Sequence, residues 1–160
     1  MQPGAKPKTA ATTTTTTTES ATDKEFRDLA MHGSLERMKA IAAKANPNAP
    51  EAGSGRTPLH KAAFFGHVKV VDYLVNELGV PVDTQDFDGD TALHDAARFG
   101  HVDCVGALLA AGASASIKNL DAKTAADLAV MTEKEEAAAL LGLNATNGAS
   151  EQDCAGCTIL

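Results

Sequence analysis

One hundred and sixty residues, 44% apolar but only 4% aromatic and without tryptophan, suit a single domain of closely packed helices built on Ala, Leu and Val rather than a sheet sandwich. A formal charge of −7 with no dense Lys/Arg run argues against nucleic acid as a partner, and no apolar stretch is long enough for a bilayer span or an N-terminal secretion signal. Three cysteines, an odd number, do not make a disulfide scaffold, so a reducing, cytosolic compartment is expected.

Residues 1–22 carry seven consecutive threonines and no hydrophobic period. Nothing there offsets the entropy of ordering, so a disordered tail is expected. From residue 23 the chain repeats itself. "GRTPLHKAAFFGHVKVVDYLV" from Gly55 aligns with "GDTALHDAARFGHVDCVGALL" from Gly89. "KTAADLAV" is a decayed copy whose Thr124 follows Thr91 as Thr91 follows Thr57, and "DKEFRDLAMHGSLERMKAIA" is another at the front, its Gly33 aligning with Gly66. A period of about 33 residues means stacked supersecondary units. Four such units cover residues 23–143.

Within each unit, Thr57 and Thr91 are placed to cap a helix start, with Pro58 at a first helical position. Ala62-Ala63 and Ala96-Ala97 let helices approach closely, and Gly66 and Gly100 end the short helix in a left-handed cap. A second helix follows, with Val70, Val71 and Leu74 matched by Cys104, Val105 and Leu108 at core spacing. One extra residue near "NELGVPVD" should be absorbed in the loop after the second unit. "DFDGD", Asp86 to Asp90, has carboxylates at calcium-loop spacing, but Thr91 stands where that loop needs Gly and Ala97 where it needs Glu. A solvated turn tip is the expected reading.

The "GxTPLHxAAxxGHxxVV" pattern resembles the ankyrin repeat family, over roughly residues 23–143. The resemblance implies an all-α solenoid of helix-turn-helix units with turn or hairpin tips, acting as a monomeric protein-binding scaffold and not as an enzyme. No cofactor or metal is implied. It makes His60 and His94 hydrogen-bonded braces between neighbouring loops. Departures in the outer copies, among them Lys24, Ala122, Asp127 and Glu133, read as caps with polar outer faces. It also implies that partners meet the turn tips and the two residues before each helix-ending glycine. Those positions place His32, Phe64, Phe65, Arg98 and Phe99 on a candidate surface, with Phe87, Asp88 and Asp90 at a turn tip. Lys61, Asp95, Arg56, Asp121 and Lys123 would complete a polar rim; rings tucked between units are the alternative.

Residues 144–160 are small and polar and end in "CAGCTIL". Cys154 and Cys157 form a CxxC, but no second pair supplies the other zinc ligands and no thioredoxin-like context surrounds it. Cys157-Thr158-Ile159-Leu160 instead fits C-a-a-X with a terminal Leu, the pattern for geranylgeranylation of Cys157. One lipid anchors weakly and no polybasic segment helps, so Cys154 is the candidate for a second, palmitoyl anchor. The sequence therefore reads as a protein-binding module tethered to a cytosolic membrane face, with a soluble adaptor and a thiol metal or redox protein as alternatives.

Overall fold

The computed structural model describes residues 20–142. Among these residues every regular element is helical, in four successive pairs. The pairs are α1 (Ala21–His32) with α2 (Leu35–Ile41), α3 (Pro58–Phe65) with α4 (Val68–Asp72), α5 (Ala92–Phe99) with α6 (Val102–Ala110), and α7 (Ala125–Met131) with α8 (residues 135–142). The first helices form one row, α3 packing between α1 and α5 and α7 packing on α5, while α4 packs on α6 behind them. This is the all-α solenoid implied by the repeats.

Periodicity explains the packing. Ala30, Ala63 and Ala97, and again Ala62, Ala96 and Ala129, are fully buried where the first helices meet. Their small side chains allow the close approach that ridge-and-groove packing of neighbouring helices requires. Phe26, Leu59 and Leu93 fill one core position of successive units, and Met38, Val71 and Val105 another. Each of these larger side chains contributes about 1.5–3 kcal/mol through burial. Cys104 is a buried member of the same core, and burial pushes its thiol up to about 11. It is a small hydrophobe, not a nucleophile.

Three details differ from the expectation. The first helix starts at Ala21, inside the segment read as a tail, with Ser20 Oγ accepting from the Thr22 amide at 3.2 Å. Lys24, which aligns with Thr57, therefore lies one turn inside the helix and caps nothing. The extra residue of the second unit is absorbed in a helix rather than in the following loop. After α4 the chain widens into a π turn, Tyr73–Glu77, closed by the Leu78 amide on the Tyr73 carbonyl at 3.1 Å. The Val80 amide then bonds back to Leu74, one residue further than the Ala113 amide reaches in bonding back to Leu108. An insertion becomes a π turn when the flanking contacts fix both ends of the helix; here Gly79 keeps the left-handed role of Gly112 (φ 64° and 94°).

The last unit is the third difference. Ala122 (φ 61°) and Glu133 (φ 58°) hold the left-handed conformation that Gly89 and Gly100 hold one unit earlier. The stack imposes that geometry on L-residues at a cost of about 1–2 kcal/mol each. Its outer face is polar at Glu133, Lys134, Glu135 and Glu136, yet Val130 and Met131 are exposed beside them. The cap is mixed, not uniformly polar.

Candidate protein-binding face

The face is positioned by histidines. Thr57 and His60 close a capping box at the start of α3, the ring Nδ1 accepting from the Thr57 amide at 3.2 Å and lying 2.9 Å from its hydroxyl. That fixes the tautomer and leaves Nε2–H to donate forward to the Asp90 carbonyl of the next unit, at 3.0 Å. His94 repeats the arrangement with Thr91 and donates to the Lys123 carbonyl at 3.1 Å. The brace implied by the family resemblance is present in both inner units. His67 and His101 reach the opposite way, to the Met31 carbonyl at 2.9 Å and the Phe64 carbonyl at 3.0 Å of the preceding unit.

The outer units show what each half of the brace is for. Arg27 holds the His60 position in the first unit and donates forward to the Ala49 carbonyl at 3.3 Å. Asp127 holds it in the last unit, where Oδ2 accepts from the Thr124 amide and hydroxyl, each at 2.8 Å. These two bonds keep its carboxyl below the usual carboxylate range. Arg27 thus keeps the forward donor and Asp127 the cap. Neither role was read from the sequence, although the repeat alignment marks both positions.

Turn tips are knotted by side-chain acceptors. Asp86 Oδ1 accepts from the amides of Asp88 and Asp90, each at 2.9 Å, and Asn119, at the matching place in the next unit, does the same for Asp121 and Lys123 at 3.0 Å. The tip is not the solvated one expected. Asp86 and Asp90 are buried, Asp86 taking Arg56 Nε at 3.1 Å and Asp90 taking Arg98 Nη2 and Asn119 Nδ2, both at 2.7 Å. Asp90 is therefore corrected from a partner-binding residue to an internal one. Asp95 is likewise corrected from the rim: it is fully buried, with Arg56 Nη2 3.3 Å from Oδ1. The reason is non-local, since two guanidiniums from α5 and the preceding tip draw these carboxylates inward. Asp88 stays exposed, its carbonyl accepting from the Leu120 amide at 3.0 Å.

The aromatic residues are brought together in part. Phe64 packs on Phe65 (4.9 Å between centroids) and on Phe99 (4.3 Å), with the Arg56 guanidinium 5.3 Å from its ring. Phe64 is half-buried between units, while Phe65 and Phe99 are 46% and 40% exposed. Phe64 thus matches the alternative of a ring tucked between units, while Phe65 and Phe99 present their rings to solvent. Phe87 is 64% exposed, its ring edge resting over Gly55 of the neighbouring tip. Leu120, unread in the sequence, is 78% exposed and holds the place of Phe87 on the next tip. Arg98 is half-buried through its pair with Asp90, and exposed His32 donates from Nδ1 to the Asp28 carbonyl of its own helix at 2.7 Å. Cys154 and Cys157 lie outside the described residues.

A family model described as ankyrin repeats (3 copies) matches residues 27–119. No curated protein matches the chain. The match ends in the loop before α7, so the fourth pair stands beyond it, as the decay of its Thr-Pro-Leu-His motif would produce. More than half of the chain lies within that match, and its stacked helix pairs and histidine braces run through the same residues: the protein belongs to the ankyrin repeat family.

Proposed function

We propose that this protein is a non-enzymatic scaffold that binds a protein partner on the face carrying Phe65, Phe99, Phe87 and Leu120. The observation that supports this most is the exposure of three phenylalanines, Phe65, Phe87 and Phe99, in a repeat domain whose core has no need of them. Exposed aromatic residues clustered on a rigid support are the usual anchors of interfaces. Phe65→Ala with Phe99→Ala is expected to lower the recovery of a crosslinked, identified partner tenfold or more, with the unfolding midpoint nearly unchanged. Undiminished recovery of the same partner would sink the reading.

The same proposal places the module at a cytosolic membrane face through a geranylgeranyl thioether on Cys157, with Cys154 as a second acylation point. Its support is the Cys157-Thr158-Ile159-Leu160 pattern alone. Mass spectrometry of the protein from its own cells should show the lipid on Cys157, the last three residues gone, and no lipid in Cys157→Ser. An unmodified CTIL ending leaves the soluble scaffold.

A further inference from the structure

Five charged side chains from two successive units meet beneath the aromatic rings. Arg56 comes from the tip before α3, Asp86 and Asp90 from the tip before α5, and Asp95 and Arg98 from α5 itself. Two of the carboxylates are fully satisfied. Asp86 has backbone amides on one oxygen and Arg56 on the other, and Asp90 has Asn119 on one and Arg98 on the other. Asp95 is not. Its Oδ1 has the shared Arg56, and its buried Oδ2 has no hydrogen-bond partner.

The charges therefore balance only if one carboxyl carries a proton: three carboxylates face two guanidiniums. Other charged groups stand on the elements packed around α5, and Asp103 of α6 among them is exposed. Lys61 of α3 is held by Glu51 at 3.2 Å, His60 by the Asp90 carbonyl, and Asp127 of α7 by Thr124. Burial, with Asp90 adding to it against the pull of Arg56, pushes the Asp95 carboxyl up to about 7. A proton placed on Oδ2 removes the unpaired charge but leaves a buried hydroxyl, so the site is poised rather than settled.

One exposed-side ring, Phe64, lies against this site through Arg56. Phe99 is one turn beyond Asp95 on α5, on the same side of the helix. Phe64 packs on Phe99 with the rings tilted by 50°, and the Arg56 guanidinium lies over its ring. Arg56 is thus gripped by carboxylates on one side and by a ring on the other. We propose that Asp95 is a proton-operated switch: protonated, it needs no water at Oδ2 and leaves Phe64 and Phe99 packed together, and ionised, it draws water to Oδ2 by parting the Phe64–Phe99 pair. The proton passes to solvent, and no other bond changes. The consequence is an aromatic surface whose shape depends on pH. This goes beyond the binding reading and does not rest on it, because it is read on the free protein.

The test is an NMR titration of the full chain from pH 5 to 9, following the Asp95 carboxyl carbon and the ring signals of Phe64 and Phe99. All three are expected to move with one midpoint near 7. Histidine steps are followed separately through their ring nitrogens. Asp95→Asn should abolish the step in the phenylalanine rings while the histidine steps remain. Asp95→Leu, which copies Leu128 at the matching position of the last unit, should do the same if the amide variant folds poorly. An Asp95 midpoint below 5, or rings that ignore its titration, overturns the proposal in the unmodified protein whatever the variants do.

Discussion

Replacing His60 by leucine is expected to cost on the order of 3 kcal/mol of unfolding free energy, a large share of what a domain of this size possesses. The ring is 1% exposed, and its loss orphans the buried Thr57 amide and the buried Asp90 carbonyl together. Leucine fills the volume and answers neither group. His67→Leu removes one bond, to the Met31 carbonyl, from a half-buried position and should cost about 1 kcal/mol. Urea unfolding of the two variants, with unchanged slopes, decides the matter; equal costs would mean that the brace is not what joins the units. His60 also predicts a pH trend. Burial lowers its pKa from 6.5, so as pH falls below 6.5 the unfolded chain takes up a proton that the folded ring resists, and stability declines. His60→Leu should lose that component. Asp95 tilts the other way: its neutral form favours the fold below an ordinary aspartate value of 3.8, and that contribution is gone once pH has risen through about 7.

Gly66→Ala should destabilise far more than Gly79→Ala, although both glycines are left-handed. At Gly79 (φ 64°) an added Cβ meets nothing within 4 Å, so only the backbone strain of about 1 kcal/mol remains. At Gly66 (φ 78°) the Cβ would lie 2.6 Å from His101 Nδ1, and the ring cannot yield without leaving the Phe64 carbonyl. A total on the order of 3 kcal/mol is expected. His101→Ala in the Gly66→Ala background should cost much less than His101→Ala alone, which a double-mutant cycle reads as coupling. Gly33 meets His67 in the same way, so helix-ending glycine and following histidine act as a pair across units.

That pairing shows how far the sequence can be read. Gly66 and His101 were each legible from the period, but their contact joins different units and leaves no local pattern. The fold was legible because one motif recurs at a nearly constant interval, and His60 and His94 because a neutral imidazole both accepts and donates. The π turn was hidden by "NELGVP", where Gly and Pro suggest a loop; only the match of Gly79 with Gly112 puts the extra residue before the glycine. Asp90 and Asp95 were misplaced because burial of a carboxylate depends on which guanidinium can reach it. Arg56 lies 39 positions before Asp95, and nothing in either segment announces the pair. Leu120 was simply passed over, though its alignment with Phe87 marks it.

The hydrogen bonds between units also bear on how the chain reaches its fold. Those made by His60, His67, His94 and His101 join residues 29 to 37 positions apart, and each stops at an adjacent unit. No distant segment has to be found before two neighbours can close. Search through loop closure is therefore short, and formation should begin at any adjacent pair and spread outward by zippering. The inner pair, with braces running in both directions, is the natural nucleus. The end units would then assemble last and open first.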